Sequence, residues 1–222
     1  MLTKALIAVR SGSIRVQNKN IRPFAGSTLL EVKINQLKRI SLLDGIIVNS
    51  NDERMLDIAD RLGCETILRD AFFATNNVSM SDVYVNMAQN CNCDIIVYSN
   101  VTNPLIKDHT IHAAIDAYVH NSHKYDSLNT AHLVKEFMFK DGLPINYDLR
   151  QQPRSQDLPD IFALNFAVNI LTKETMINCR NVVGLCPYIY GIDQLEATDI
   201  DNPIDFDFAE FVFKNVTTHS SF

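Results

Sequence analysis

A surplus of basic residues is missing from this chain. With 20 Lys and Arg against 26 Asp and Glu, its formal net charge is −6, whereas tracking a nucleic-acid backbone requires a dominant cationic surface. Nucleic acid is thereby excluded as the main partner, and any phosphate site must be local. Long apolar runs are missing too. No stretch approaches the roughly 20 apolar residues of a membrane helix, so no membrane partner is expected. The run Met1–Val9 is too short for a secretory signal, which makes the cytoplasm the expected location. Cysteine is sparse and odd in number. Cys64, Cys91, Cys93, Cys179 and Cys186 are scattered, and Cys91 with Cys93 has no second pair at zinc-ligand spacing, so reduced structural thiols are expected. Internal repeats, low-complexity tracts and linkers are absent. A chain of 222 residues can bury a core without disulfides or metals, and one domain over 1–222 is the expectation.

What is present is an alternation of short Ile/Val-rich runs with segments of helical period, the pattern of a largely parallel sheet covered by helices. Residues 2–9, 46–48, 64–68 and 94–98 read as strands. Residues 27–40 read as a helix with Leu29, Leu30, Ile34, Leu37 and Ile40 on one face. Further helices are expected at 52–62, closed by Gly63, at 79–90, capped by Ser79 or Ser81, and at 108–121. The rhythm then changes. Residues 133–145 read as a hairpin turned at Asp141-Gly142, and 147–160 are polar with two prolines, an excursion from the sheet. The chain returns through 162–171, a helix at 172–178, a strand at 188–190, and a last helix from Pro203 to Lys214, introduced by Asn202 and Asp205.

The segment between the first strand and first helix, Arg10-Ser11-Gly12-Ser13-Ile14-Arg15-Val16-Gln17-Asn18-Lys19-Asn20, holds the most chemistry. Ligands of open α/β sheets bind beyond the carboxyl ends of strands. Gly12 and Ser13 let backbone N–H groups approach phosphate oxygens, while Arg10, Arg15 and Lys19 supply charge. The Gly-Lys-Ser/Thr end of a Walker A loop and the Gly-x-Gly-x-x-Gly of a dinucleotide loop are both absent. By composition this is either a polyphosphate loop or a solvated basic loop.

The order of its residues resembles the signature of the acylneuraminate cytidylyltransferases, the CMP-sialic acid synthetases. The likeness continues through Ser50-Asn51-Asp52, Ile67-Leu68-Arg69, Thr102-Asn103-Pro104-Leu105, Gln156-Asp157-Leu158-Pro159, Asn165 and Asp199-Ile200-Asp201. It implies a three-layer, Rossmann-like α/β nucleotidyltransferase fold and transfer of CMP from CTP to an acidic keto sugar, with release of pyrophosphate. It further implies nucleotide contacts from Arg10, Ser11, Gly12, Ser13, Arg15, Asn18, Lys19, Arg69 and Ser79. Sugar contacts would come from Asn100, Thr102, Arg154 and Asn165. Arg10, Lys19 and Asp201 would act at the reacting phosphate. Residues 133–160 resemble the family's protruding dimerisation arm, implying a homodimer.

Asp199-Ile200-Asp201 reads as an alternating strand segment with two carboxylates on one side, suited to a cation, or as acidic capping of the last helix. The resemblance favours the first and makes Mg2+ the expected cofactor, with Asp201 its first ligand and Asp199 its second. His109, His112, His120, His123, His132 and His219 show no metal spacing. Several positions depart from the family pattern. Ile14 stands where lysine is frequent, Gln17 and Asp70 where proline is, Asn100 where the sialic acid enzymes have glutamine, and Asn169 where tyrosine is common. Phe166 replaces a glycine, and Ser155 falls at the register of a carboxylate-binding arginine, with Arg154 beside it. Two other readings follow: a catalytically degenerate sugar-nucleotide-binding protein of the same fold, or a transferase of Kdo type or for another sugar. Pyrophosphate release with several acceptors separates the first, and nucleotide and acceptor preference the second.

Overall fold

The computed structural model of the chain describes residues 1–75 and 77–216; His219 lies outside them. The chain runs through β1 (Thr3–Ala8), the short pair β2 (Pro23–Phe24) and β3 (Ser27–Thr28), α1 (Leu29–Leu37), β4 (Gly45–Ser50), α2 (Glu53–Arg61) and β5 (Glu65–Leu68). It continues through α3 (Met80–Asn90), β6 (Ile95–Ser99), α4 (Asp108–Asn121), β7 (Ser127–Val134), β8 (Phe139–Lys140) and β9 (Leu143–Pro144). The last elements are β10 (Ile161–Thr172), α5 (Lys173–Cys179), β11 (Pro187–Gly191) and α6 (Pro203–Val216).

Seven strands form one sheet in the order β11-β7-β10-β6-β1-β4-β5. Only β10 runs against its neighbours, pairing antiparallel with β6 and β7, while the other pairs are parallel. The expected mainly parallel α/β sheet is what is found. The chain first builds outward from β1 through β4 to β5, then returns to the other side of β1 with β6. The carboxyl ends of β1 and β6 therefore flank a topological switch point, where an open sheet leaves a crevice.

One core packs α1, α4 and α6 against a face of the sheet, and a second packs α3 and α5 against the other. In the first, all five residues of the apolar face expected at 27–40 are buried, each contributing about 1.5–3 kcal/mol relative to exposure, although the helix is shorter than expected: Ser27–Thr28 forms β3 and Ile40 lies beyond the end of α1 at Leu37. Thr28 caps α1, Asp52 caps α2 and Thr172 caps α5, each through its side-chain oxygen. Gly63, at φ +69°, ends the α2 segment in the left-handed region open to glycine.

Two local readings are corrected. The segment Leu133–Val134 ends strand β7 instead of starting a hairpin, and the hairpin is the shorter β8–β9 unit, turned by Asp141 and Gly142 at φ +52° and +79°. The start of β7 reads as polar because Ser127, Asn129 and Thr130 are polar, yet all three are fully buried. They are held by side-chain hydrogen bonds to Val183 and Asn165, which offset much of the cost of burying them, although the Asn129 Oδ1 has no partner among the described residues. Asp199–Asp201 is a loop, not a strand. Ile200 is buried there, and its N–H donates to the Thr102 carbonyl at 2.9 Å.

Candidate functional site

Two cavities open beyond the carboxyl ends of β1 and β6, and both are lined by Ala8, Val9 and Arg10. The larger, about 470 Å³, is walled by the first loop on one side and Asn100–Thr102 with Asp201 on the other. The smaller, about 330 Å³, is mostly apolar, with Phe73, Val83, Met87 and Tyr98 around Arg69.

The first loop is held open by its own hydrogen bonds. Asn51 accepts from the Ser11 N–H at 3.1 Å and donates to the Ser11 hydroxyl at 2.9 Å, while Asn20 donates to the Arg10 carbonyl. Asn18 adopts φ +51°, and its carbonyl accepts from Ile21 and Arg22, ending the loop in a single helical turn. Arg10 reaches across to the carbonyl of Ala74 at 2.8 Å, so it stands on the rim between the cavities.

Within the larger cavity, Arg15 Nη2 is 2.7 Å from Asp201 Oδ1, and Lys19 Nζ donates to the Ile200 carbonyl at 2.6 Å. Burial lowers the Lys19 pKa, opposed mainly by Asp199 and Asp201. Asp199 moves the other way: desolvation raises it, the hydroxyl of Thr102 restrains the rise, and Asp201 adds to it. The arrangement is a partly desolvated cluster of two carboxylates and two cations.

Arg69 forms the floor of the smaller cavity. It is 6% exposed, and its guanidinium donates to Asn49 Oδ1 at 2.6 Å and to the Asn49 carbonyl at 3.2 Å. Burial lowers its pKa, with Tyr98 opposing. The same burial raises the Tyr98 phenol.

The cavities thus bring together Arg10, Gly12, Ser13, Arg15, Lys19, Arg69, Asn100, Thr102 and Asp201. Ser11 and Asn18 shape the loop from behind its lining. Ser79 caps α3, accepting from the Asp82 N–H and donating to its carboxylate, and lies between the lining residues Val78 and Met80. Asn165 is buried in the β7–β10 bulge, accepting from Thr130 and the Ala167 N–H. Arg154 is exposed on the excursion and paired with Asp157 at 2.7 Å.

Sequence reading missed three supports. Tyr98 was covered by its role as a strand residue, and Asn51 was read only within the Ser50-Asn51-Asp52 resemblance, with no role given to it. Lys33 was the third, although it falls one helical turn from both Leu29 and Leu37 on the apolar stripe of α1. It is fully buried, and its Nζ donates to Gln36 Oε1 at 2.8 Å and to the Asn103 carbonyl at 3.0 Å. It thereby fastens the Thr102–Asn103 loop to α1.

Comparison with known proteins adds the following. A family described as cytidylyltransferase matches residues 4–178. The chain is 24% identical over 221 residues to the post-translational flagellin modification protein B of Campylobacter coli, covering 94% of this chain and 93% of that protein. It is 22% identical over 225 residues to the pseudaminic acid cytidylyltransferase of Campylobacter jejuni subsp. jejuni, covering 96% and 97%. In structure it resembles a CMP:2-keto-3-deoxy-manno-octonic acid synthetase complexed with CTP, with a TM-score of 0.71 at 9% identity over 96% of this chain and 98% of that one. This last likeness is one of fold. Among the described residues, no helix is long and apolar enough to cross a membrane.

Proposed function

The chain belongs to the cytidylyltransferase family, and on that premise we propose that it transfers CMP from CTP to an acidic keto sugar of the nonulosonate class, releasing pyrophosphate. The observation that carries this is the pair of adjoining cavities sharing Ala8, Val9 and Arg10. The apolar cavity, with Arg69 at its floor, suits a base and ribose. The cationic one suits a triphosphate and an acceptor.

In this reading the N–H groups of Gly12 and Ser13 and the charges of Arg10, Arg15 and Lys19 hold the triphosphate. Attack of the sugar hydroxyl on the α-phosphorus forms the new P–O bond as pyrophosphate leaves, and no protein nucleophile takes part. Lys19, being partly desolvated, offers its charge in a medium where it acts strongly on the developing negative charge. The donor set of Asp199 and Asp201 is hard oxygen, which fits Mg2+, an ion that takes one or two carboxylates together with substrate phosphates. When bound, Mg2+ supplies charge neutralisation across the phosphate oxygens.

The acceptor would lie beside Asn100 and Thr102. Its carboxylate lacks an arginine at Ser155, a charge-assisted contact worth about 1.5–3 kcal/mol, and Phe166 adds bulk next to Asn165. A smaller or deoxygenated acceptor, such as Kdo or a diamino-dideoxy nonulosonate, is favoured over N-acetylneuraminate. The excursion leaves Phe139, Leu143, Ile145 and Leu149 exposed. A second copy of the chain would cover them and order the segment that bears Arg154.

The test compares kcat/KM for N-acetylneuraminate, Kdo and a diamino-dideoxy nonulosonate at equal CTP and magnesium, with pyrophosphate as readout. A clear preference for N-acetylneuraminate overturns the acceptor assignment. Pyrophosphate release with none of them, in the presence of tight CTP binding, leaves a binding protein.

A further inference from the structure

The two walls of the larger cavity come from segments far apart in the sequence, and one buried side chain ties them together. The first loop leads through β2 and β3 into α1, whereas the opposite wall is Asn100–Thr102 with Asp201. Lys33 lies on α1 at 0% exposure, and its Nζ donates to the Asn103 carbonyl at 3.0 Å and to Gln36 Oε1 at 2.8 Å. Gln36, one turn on, is thereby oriented with its Nε2 toward the Ile106 carbonyl at 2.5 Å and Asp108 Oδ1 at 3.1 Å. The segment after Thr102 is thus fastened to α1 at Asn103, Ile106 and Asp108. Asn103, also at 0% exposure, passes this fixed position on. Its Nδ2 donates to the Thr198 carbonyl at 3.1 Å, and the neighbouring Thr102 carbonyl accepts from the Ile200 N–H at 2.9 Å. Asp199 lies between those two held residues, and Asp201 follows them. The Asn103 Oδ1 has no partner among the described residues, so the fold bears an unpaired buried acceptor while the other half of the amide holds Thr198.

On the reading that this cavity transfers CMP, we propose that Lys33 is a positioning residue for the reaction: by holding Asn103, and through it the Thr198–Ile200 backbone, it sets where Asp199 and Asp201 stand relative to Arg15 and Lys19 of the first loop. Lys33 itself does not line the cavity. An apolar side chain of similar length on the same stripe would bury at lower cost, having no polar group to desolvate. What the amine adds is direction. It fixes which way the Asn103 carbonyl points, and that carbonyl shares a rigid plane with the nitrogen of Pro104, whose ring sets the next backbone angle. A displacement at Asn103 is therefore transmitted along the chain instead of being absorbed beside it. The two bonds need two N–H groups, which the amine has with or without its third proton, so the brace does not depend on its charge.

The nucleotide side of the site has other anchors. Ser11 is held by Asn51, and Arg69 by Asn49. Losing the Lys33 brace should leave those contacts in place while moving the Ile200 carbonyl, on which Lys19 rests, and the two carboxylates around it. Turnover then suffers and nucleotide binding does not.

The experiment measures kcat with the best of the three acceptors, CTP affinity by calorimetry without magnesium, and the thermal midpoint, for the parent, Lys33→Met, Asn103→Ala and the double variant. Met176→Ala, in the core that holds α3 and α5, serves as a variant destabilised away from the brace. Lys33→Met should lower kcat by about 10–100-fold and leave CTP affinity near that of the parent. Asn103→Ala keeps the backbone carbonyl that Lys33 holds and loses the bond to Thr198, so it should show the same split. The double variant should fall well short of the product of the two losses, as expected of residues acting in one chain of contacts. Met176→Ala should lower the midpoint and retain kcat at temperatures where it is folded. Parental kcat in Lys33→Met overturns the proposal, as do losses that multiply in the double variant or an equal kcat loss in Met176→Ala. If Lys33→Met does not fold, parental kcat in Asn103→Ala overturns it alone. A parent that binds CTP yet turns over no acceptor fails the functional reading and this role together, whereas an active parent with fully active variants fails this role only.

Discussion

Arg15 and Asp201, at opposite ends of the sequence, meet at 2.7 Å across the larger cavity, with side chains 62% and 48% exposed. An ion pair so exposed is worth about 0–1 kcal/mol, so its position in the cavity matters more than its stability. Asp201→Asn keeps the shape and removes the charge. The thermal midpoint should stay within a few degrees of the parent while turnover collapses. Calorimetric melting and a pyrophosphate assay across a magnesium series check both halves. Normal turnover at limiting magnesium would make the carboxylate a loop-pairing residue only.

Lys19→Ala should weaken CTP binding by more than about 1 kcal/mol, the loss of one charge-assisted contact, as read by titration calorimetry. Because burial lowers the Lys19 pKa, and only the protonated amine carries charge, CTP affinity should decline on the alkaline side before an ordinary lysine loses its proton. Affinity unchanged by the substitution removes Lys19 from the site.

Lys33 gives a prediction about stability. Burial lowers its pKa from 10.5 to about 7, with Asp108 opposing. The depressed value belongs to a base, so between about pH 7 and 10.5 the unfolded chain holds a proton that the folded chain has released. Stability must then rise with pH across that window and level off below it. Lys33→Met should flatten this rise, so the difference in urea-unfolding free energy between variant and parent should shrink or reverse in the parent's favour from about pH 7 to about pH 9. The lost bonds to Gln36 and the Asn103 carbonyl add a cost that is independent of pH. A difference constant with pH would show that Lys33 stays protonated in the fold.

The strands and helices legible in sequence were those whose burial follows hydrophobic periodicity, such as β4, α1 and α4. The start of β7 was hidden because its buried residues Ser127, Asn129 and Thr130 are ones that composition counts as polar, and they are anchored by donating side-chain hydrogen bonds. The first loop was legible because glycine and cations cluster at a strand end. The bracing roles were not: Asn51 bonds both the N–H and the hydroxyl of Ser11, and Asn20 bonds the Arg10 carbonyl, contacts that form only when the chain folds. Asp199 and Asp201 were found as a pair but placed on a strand, since sequence alone does not show that Thr102 captures the Ile200 N–H and bends the segment into a loop.

Phe166 carries the last prediction. It sits at φ +56° in the irregular stretch of β10 between Leu164 and Asn169, half-buried against the core that holds α3 and α5. A side chain in the left-handed region costs roughly 1–2 kcal/mol that glycine avoids, whereas losing the ring forfeits packing. Phe166→Ala keeps the backbone strain and loses the packing; Phe166→Gly loses both. Glycine should therefore be the more stable of the two by about 1 kcal/mol, reversing the usual order of these residues in a strand, and paired urea titrations read that difference directly. The acceptor assignment predicts in addition that kcat/KM for N-acetylneuraminate rises in Phe166→Gly relative to Kdo, as room opens beside Asn165. If glycine gains stability over alanine and selectivity stays unchanged, Phe166 is a packing residue, and the discrimination among acceptors must come from Asn100, Thr102 and the arm that carries Arg154.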